Sequence, residues 1–229
     1  MNWDQIKMIW RCLLGLPKSI MLNFCCLPFA IAIRMPILVS KKTRLGGVNS
    51  RTIYFQTEKI RTGMIRIGIV NGSEGIITDK RCFFGIESGG KIIFKGKFDL
   101  APGGTLKVSK DGEMIIGNNV SFNFHCTLLC KKKIVVGDNV LFGWDVLLND
   151  GDGHFIYNDL NEWINQPKEI VIDDGVWIAS NVTILKGSKI GKRCIVGYGS
   201  LVTKEFNHSH AIIAGNPAKV VKEKINWVH

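Results

Sequence analysis

A strict six-residue repeat in the second half of the chain limits the possible folds more than any other feature of the sequence. It places an aliphatic residue at positions Ile172, Ile178, Ile184, Ile190, Val196 and Val202. Because alternate side chains of a strand point to opposite faces, one apolar residue in six gives each short strand a single inward anchor. Three such strands joined by tight corners form a triangular coil of about eighteen residues, and stacked coils predict a parallel β-helix.

The same period appears upstream, with a two-residue slip near residues 131–133. Its apolar positions are Ile116, Phe122, Leu128, Val136, Phe142 and Leu148. Residues 51–111 are only loosely periodic. The strict repeat has Gly175, Asn181, Gly187 and Gly199 at its corner positions. Glycine and asparagine adopt the left-handed backbone conformation of such corners easily. Parallel crossovers are right-handed in about 98% of cases, so the repeat by itself does not predict a left-handed coil.

The composition fits a folded domain in a reducing compartment. The 229 residues are 46% hydrophobic and 21% charged, which excludes a disordered chain and collagen. The seven cysteines are an odd number and form no CxxC pair, so a secreted disulfide scaffold is not expected. No cleavable small-residue site follows the first apolar stretch. We expect a cytoplasmic protein that could associate with the inner face of the membrane.

The basic charge is concentrated at the N-terminus. Of the net charge of +11, residues 1–51 contribute +7, from eight basic residues and one acidic residue. Apolar residues recur at helical spacing over residues 3–14, ahead of Gly15 and Pro17, which predicts an amphipathic helix. An arginine and two prolines interrupt the apolar run 22–39, so no membrane span is predicted. The segment is interpreted either as an arm on an anionic membrane surface or as an arm packed on its own domain or on a neighbouring subunit.

The six-residue register of apolar residues is interrupted over residues 149–170 and resumes in phase at Ile172. Asn, Asp, Gly and Pro are dense in this stretch, so we predict a loop extruded between rigid coils. His154 is the only histidine in the loop, and imidazole is suited to general-base catalysis. Asp150 and Asp152 could orient its ring, but we favour turn-forming roles for both.

The hexads and four short motifs resemble the hexapeptide-repeat acyltransferases. The motifs are NFHCT (123–127), DGDGH (150–154), VWIASNVTIL (176–185) and AGNPA (214–218). The resemblance covers residues 112–222 and points to the branch that contains maltose, galactoside and surface-polysaccharide O-acetyltransferases. It implies an all-β, left-handed parallel β-helix that assembles as a homotrimer with active sites shared between subunits.

The resemblance also implies roles for individual residues. It places His154 and Asn123 in the catalytic set, His154 as the general base and Asn123 in contact with the sugar, although Asn123 could equally serve a corner. Trp177 would contact the sugar or the pantetheine arm, the alternative being a coil-surface residue covered by the N-terminal arm. Ser180 would support the oxyanion. Ala179 stands where glycine is commoner in the family and narrows the room for the pantetheine arm.

Three further residues match family positions at the adenine and phosphate end of coenzyme A, namely Thr203, Lys204 and Lys219. Acetyl-CoA is therefore the expected acyl donor, and no metal is expected. The sequence contains neither GxGxxG nor a P-loop motif, so nucleotide binding through those elements is not supported, and we expect no nucleic-acid partner.

The predicted organisation is a basic amphipathic arm (1–50), a β-helix acyltransferase domain (51–205) with the extruded loop 149–170, and a C-terminal extension (206–229). The expected function is transfer of acetyl from acetyl-CoA to a sugar hydroxyl in surface-polysaccharide biosynthesis. The alternatives are acetylation of an antibiotic or other xenobiotic, a zinc-dependent β-helix resembling carbonic anhydrase, and a non-catalytic scaffold whose arm binds membrane.

Overall fold

The computed structural model describes residues 3–70 and 80–228, which form a stack of short strands with a helix at its N-terminal end. The helices are α1 (Trp3–Cys26) and α2 (Phe29–Ala32). The first twelve strands are β1 (Ile37–Val39), β2 (Arg44–Gly46), β3 (Ile53–Phe55), β4 (Ile65–Ile67), β5 (Phe83–Ile86), β6 (Lys91–Phe94), β7 (Phe98–Leu100), β8 (Thr105–Val108), β9 (Glu113–Ile116), β10 (Val120–Phe122), β11 (Thr127–Cys130) and β12 (Lys133–Val136). The strands that follow are β13 (Leu141–Phe142), β14 (Leu147–Asn149), β15 (Ile170–Ile172), β16 (Trp177–Ile178), β17 (Thr183–Leu185), β18 (Lys189–Ile190), β19 (Ile195–Val196), β20 (Leu201–Val202), β21 (Glu205–Phe206), β22 (Ile212–Gly215) and β23 (Ala218–Lys222).

Successive strands belong in turn to three sheets. Sheet A has the order β1-β4-β7-β10-β13-β16-β19-β22-β23, sheet B the order β2-β5-β8-β11-β14-β17-β20, and sheet C the order β3-β6-β9-β12-β15-β18-β21. The pairing of β22 with β23 is antiparallel, whereas the strands within the stack pair in parallel. The chain therefore passes through sheets A, B and C and returns to sheet A one coil further along, as the six-residue repeat predicts.

The strand register stacks the predicted anchors in columns. In sheet B, Leu128 pairs with Leu148, Leu148 with Ile184, and Ile184 with Val202. The six anchors of the strict repeat are fully buried: Ile172, Ile178, Ile184, Ile190, Val196 and Val202. Burial of an aliphatic side chain of this size contributes about 1.5–3 kcal/mol, so these columns supply much of the driving force for folding.

The length of a coil changes along the stack. Leu100, Phe122, Phe142, Ile178 and Val196 follow one another in a single column of sheet A. The first two steps are 22 and 20 residues, the third is 36 because it contains the extruded loop, and the last is 18. The region before the strict repeat therefore belongs to the same fold, and its longer corners hide the period in the sequence.

The stack extends past the predicted limits of the β-helix at both ends. β1 and β2, which lie within residues 1–50, pair in parallel with β4 and β5. Within residues 206–229, β22 pairs in parallel with β19 and then in antiparallel with β23. β1 forms the end of the apolar run 22–39, which prolines interrupt, and the last strands follow the end of the strict repeat, so periodicity does not mark either end of the stack.

Helix α1 closes the open edge of sheet A. Ser19 and Asn23 are one helical turn apart and bond the backbone groups of β1 that a further strand would pair. The Asn23 amide nitrogen donates to Ile37 O at 2.7 Å, and the Asn23 amide oxygen accepts from Ile37 N at 3.2 Å. The Ser19 hydroxyl oxygen accepts from Val39 N at 2.9 Å. Gly15 lies on the same side of α1 and allows the helix to approach β1 closely, since a Cβ at that position would collide with Val39 O.

This docking explains why α1 is longer than the sequence predicts. The helix continues through Gly15 and Pro17 to Cys26 because its second half is held against β1. The N-terminal segment therefore packs on its own domain, one of its two interpretations. The side chain of Trp3 lies outside the described residues. None of the helices within residues 3–70 and 80–228 has the length and hydropathy needed to span a bilayer.

Asn23→Ala removes both hydrogen bonds to Ile37 and leaves two backbone groups of β1 without these partners. We expect the free energy of unfolding to fall by about 2–4 kcal/mol, because each unsatisfied buried polar group costs about 1–3 kcal/mol. Urea unfolding followed by circular dichroism measures the change. Met21→Ala, at an exposed position of the same helix, is the control and should stay within about 0.5 kcal/mol of wild type. Equal stability of the two variants would refute the closing role of α1.

Candidate functional site

The extruded loop over residues 149–170 leaves the stack between β14 of sheet B and β15 of sheet C. Its outer part is a short hairpin, with an antiparallel bridge between Tyr157 and Trp163 and a hydrogen bond from Ile164 N to Ile156 O at 2.9 Å. The hairpin exposes a set of large apolar side chains: Phe155, Ile156, Tyr157, Leu160, Trp163 and Ile164. The loop is thus an ordered projection with an apolar surface.

Asn165 organises the base of this hairpin. Its side chain is buried, and its oxygen accepts hydrogen bonds from Ile156 N at 2.8 Å and from Trp163 Nε1 at 2.6 Å. Its amide nitrogen donates to Asp152 Oδ2 and to the backbone oxygen of His154, both at 2.8 Å. One side chain therefore fixes the backbone that carries the candidate base. The sequence pattern does not mark Asn165, because its four contacts form only when the loop closes on itself.

His154 is exposed at the foot of the loop and lines a cavity of about 250 Å³. Glu87, Lys110, Lys131 and Asp152 supply charged groups to the lining of this cavity. The backbone oxygen of His154 is bonded, whereas its imidazole nitrogens have no hydrogen-bond partner in the part of the chain that the structure describes. The ring is therefore available to accept a proton from a molecule in the cavity.

Asp150 and Asp152 both have structural partners. Asp150 is fully buried, and its carboxylate accepts the backbone N–H groups of residues 131–133 at 2.6, 2.8 and 2.7 Å, which holds the corner that contains the two-residue slip. Asp152 Oδ2 accepts a hydrogen bond from Lys186 Nζ at 2.5 Å. Hydrogen bonds from Lys186 and from Asn165 keep the pKa of Asp152 below its ordinary value. These contacts support turn-forming roles for the two carboxylates.

Asn123 and Ser180 lie at the corners that join sheets A and B. Asn123 Oδ1 accepts from Phe124 N at 3.0 Å, a local contact typical of a corner residue. Ser180 Oγ accepts from Trp144 N of the preceding coil at 3.0 Å. Ala179, next to Ser180, continues the backbone ladder of sheet A. The predicted contact residues Asn123 and Ser180 therefore also carry hydrogen bonds of the corner itself.

Trp177 lies in β16 on the outer face of sheet A, with 37% of its surface exposed. Its ring centroid is 5.9 Å from that of Trp227, and Trp227 Nε1 donates to Gly175 O at 3.0 Å. The C-terminal segment packs beside Trp177, whereas the N-terminal helix lies at the first coil. The exposed part of the ring remains accessible to a ligand.

A basic cavity of about 670 Å³ lies at the corner between sheets B and C, where Thr203 and Lys204 line it. Its other charged lining residues are Lys132, Lys168, Glu169, Lys186, Lys189 and Glu205. Lys204 Nζ also lies 5.5 Å from the ring centroid of Phe206. Lys219 lies elsewhere, on β23 opposite Ala214. The cavity is therefore an anion-binding candidate that contains two of the three predicted coenzyme residues.

Four of these lysines occupy equivalent positions of successive coils, and we call them the lysine column. Lys168, Lys186 and Lys204 are 18 residues apart, and Lys132 precedes Lys168 by the 36 residues of one coil with its loop. Like charges stacked in a column repel one another, so an anionic ligand would be favoured beside them. The 18-residue spacing is visible in the sequence, but corner residues lie outside the pattern of buried anchors, and of these four lysines only Lys204 matches a family position at the coenzyme end.

The predicted site residues fall into two groups within one chain. His154 and Lys204 belong to corners between sheets B and C, whereas Asn123 and Ser180 belong to corners between sheets A and B, and Trp177 to sheet A itself. The described lining of the cavity at His154 includes no other predicted site residue. A single chain therefore does not bring all of these residues together.

The histidines that the zinc alternative would use are also separated. His125 lies at a corner between sheets A and B, where its Nδ1 is 3.2 Å from Asp145 Oδ1. His154 lies on the loop between sheets B and C. Over residues 3–70 and 80–228, no group of three or more His, Cys, Asp or Glu side chains is arranged to hold a metal ion.

Two curated proteins are similar to part of this chain. The galactoside O-acetyltransferase of Lactococcus lactis subsp. lactis (strain IL1403) is 37% identical over 111 residues, which are 48% of this chain and 52% of that protein. The polysialic acid O-acetyltransferase of Escherichia coli O1:K1 / APEC is 35% identical over 126 residues, which are 54% of this chain and 41% of that protein. The chain thus spans about half the length of the curated relatives it matches.

Residues 169–204 match the family model described as bacterial transferase hexapeptide (six repeats). The chain contains the hexapeptide repeat of these transferases. This hexapeptide-repeat protein has the fold of a solved polysialic acid O-acetyltransferase, with a TM-score of 0.61, 23% identity, and coverage of 84% of this chain and 87% of that one. The comparison confirms the predicted fold class, an all-β left-handed parallel β-helix.

Proposed function

We propose that this hexapeptide-repeat protein is an O-acetyltransferase that moves an acetyl group from acetyl-CoA to a sugar hydroxyl. The observation that carries the proposal is the exposed imidazole of His154, held on a loop that Asn165 fixes, at the same series of corners as the lysine column. The names of the similar proteins, galactoside and polysialic acid O-acetyltransferase, support a carbohydrate acceptor. A role in polysaccharide biosynthesis is part of the same proposal.

His154 would act as the general base. As the sugar oxygen attacks the thioester carbonyl carbon, a ring nitrogen of His154 accepts the hydroxyl proton. The carbon–sulfur bond then breaks, and the imidazolium returns the proton to the thiolate, which leaves an acetyl ester and the free thiol of coenzyme A. Ser180 uses its oxygen as an acceptor for Trp144 N, so its hydroxyl proton or its backbone N–H would be the group that supports the oxyanion.

The lysine column suits the phosphates of coenzyme A. Five lysines and two glutamates line the basic cavity, which leaves an excess of positive charge beside Thr203 and Lys204. An ammonium group binds phosphate as a point charge and needs no fixed geometry. Lys219 would meet the same end of the coenzyme from β23. Acetyl-CoA itself supplies the acetyl group as an activated thioester.

Asn123 and Trp177 would bind the acceptor. The Asn123 amide can hold a sugar hydroxyl as donor and acceptor together, and the exposed Trp177 ring can stack on a sugar face or on the pantetheine arm. Ala179, beside Ser180, would border the pantetheine arm. Because Ala179 carries a methyl group where the family commonly has glycine, the passage for the arm would be narrower here.

We propose further that the protein is a homotrimer in which neighbouring subunits complete each site. The division of the predicted residues between two sets of corners supports this arrangement, since side-by-side packing of triangular prisms would bring corners of different chains together. The apolar hairpin at residues 155–164 supports it as well, because exposed apolar clusters of this kind mark protein interfaces.

We place the reaction in the cytoplasm. All seven cysteines of the chain are free thiols: Cys12, Cys25, Cys26, Cys82, Cys126, Cys130 and Cys194. Free thiols on a repeat fold that needs no disulfide are typical of a reducing compartment.

His154→Ala should lower kcat by about 10²–10⁴-fold because the hydroxyl proton loses its acceptor. Release of coenzyme A thiol is measured against a panel of galactosides, nucleotide sugars and oligosialic acids. His208→Ala, at an exposed histidine of the C-terminal turn, is the control and should retain activity. Near-normal turnover of the His154→Ala protein, with an unchanged circular dichroism spectrum, would reject the assignment.

The double variant Lys168→Ala/Lys204→Ala should raise the KM for acetyl-CoA about tenfold and weaken its dependence on salt. Its kcat at saturating donor should stay near the wild-type value, because neither lysine touches the reacting carbonyl. Lys59→Ala/Lys95→Ala removes the same charge from two exposed positions outside the column and serves as the control. If both double variants change KM equally, the column does not bind the coenzyme.

Mixed trimers test the shared site. His154→Ala and Asn123→Ala proteins, each weakly active, are combined in equal amounts and allowed to exchange subunits. If each site takes His154 from one chain and Asn123 from another, about one quarter of the sites regain both residues, and activity should rise to about a quarter of wild type. Activity that stays at the level of the single variants, with a trimer mass in light scattering, would show that each chain holds a complete site.

A further inference from the structure

The outward face of α1 is apolar without interruption. Between residues 8 and 24 the exposed side chains are Ile9, Trp10, Leu13, Leu14, Leu16, Pro17, Ile20, Met21 and Phe24. Two exposed residues at and after α2, Phe29 and Ile33, add to the apolar surface of this end of the molecule. We call the nine residues of α1 the outer face.

Packing against the core does not explain why the apolar side chains of the outer face are exposed. A helix that covers a core buries its apolar side and exposes its polar side. Helix α1 differs, because it turns Gly15, Ser19 and Asn23 toward β1 and buries Leu22 and Cys26, yet exposes the nine apolar side chains of the outer face. A contiguous apolar surface of this size on a folded protein marks a contact with another apolar phase or with a partner.

Basic residues border the outer face. Leu14 lines a cavity of about 210 Å³ together with Arg11, Lys41, Lys42 and Lys80, so one edge of the apolar surface meets four cationic side chains. The segment as a whole is basic as well, with eight basic residues and one acidic residue among residues 1–51. An apolar helix face with a cationic border is the charge pattern that complements an anionic lipid surface.

We infer that α1 docks the protein on the surface of an anionic bilayer. The outer face would enter the boundary between headgroups and acyl chains, and the cationic border would lie against lipid phosphates. The helix would lie parallel to the membrane, held at its other side by the bonds of Ser19 and Asn23 to β1. A second copy of this chain is a poorer occupant, because pairing two outer faces would also bring two cationic borders together.

Vesicle flotation of the full chain tests the docking. The vesicles are phosphatidylcholine alone or phosphatidylcholine with about 30% phosphatidylglycerol. We expect the anionic vesicles to bind about tenfold more protein than the neutral ones, with less binding as salt rises. The Trp10 side chain should report the contact as a blue shift of emission that is lost in Trp10→Phe.

Paired variants separate the outer face from charge alone. Leu13→Glu/Met21→Glu should lower binding to the anionic vesicles about tenfold. Val221→Glu/Val228→Glu adds the same charge at exposed apolar positions of the C-terminal segment and should stay within about twofold of wild type. Thermal unfolding verifies that wild type, the two double variants and Trp10→Phe all remain folded.

Three results would overturn the proposal. The first is absence of vesicle binding by wild type, and the second is equal loss of binding in the two double variants. The third is a lower oligomer mass of Leu13→Glu/Met21→Glu in light scattering with vesicle binding retained, which would make the outer face a contact between copies of this chain. Acetyl transfer to a soluble acceptor without vesicles reports separately on the proposed activity.

Discussion

Pairing of backbone edges is the constraint on which the rest of this structure depends. Inside a parallel β-helix, the coils before and after a strand bond its N–H and C=O groups, so the open edges lie at the two ends. At the first coil, Ser19 and Asn23 bond β1 at 2.7–3.2 Å. At the far end of sheet A, β23 pairs with β22 and carries the exposed residues Lys219 and Lys222, whose charges disfavour pairing with a further chain.

The interior and the corners of the closed stack have different structural roles. The buried columns set the register of the strands and leave little room for change, as the stacked rings of Phe122 and Phe142 illustrate with a centroid distance of 3.8 Å. The corners tolerate insertion, and the one between β14 and β15 accommodates the whole extruded loop. Asp150 anchors that corner through three backbone N–H groups, so His154 projects from a rigid base.

The sequence predicts those features whose signal is local and repeated. The inward anchors from Ile172 to Val202 predict the three-sided coil, because each strand needs its own buried residue whatever lies elsewhere in the chain. The interruption of the register likewise predicts the loop and singles out His154. The left hand of the coil required the family resemblance, since the preference of parallel crossovers points to the other hand.

Features that depend on contacts between distant segments could not be predicted. The length of α1 follows from its bonds to β1, and the role of Asn165 follows from the closure of the loop on itself. The strands before residue 51 and the coils up to residue 111 are hidden because their corners are long. The lysine column is an intermediate case, because its 18-residue spacing has a meaning only after the coils are stacked.

The shortening of the coils from 22 to 20 and then 18 residues also affects how the chain reaches its native alignment. In a stack of identical coils, slippage by one coil costs little because every anchor meets an equivalent anchor. Here a slipped chain would lay coils of unequal perimeter on one another and would separate Phe122 from Phe142. Where neighbouring coils differ in length, each therefore has one place in the stack, and intermediates that slip across this region lack the fit that would make them persistent kinetic traps.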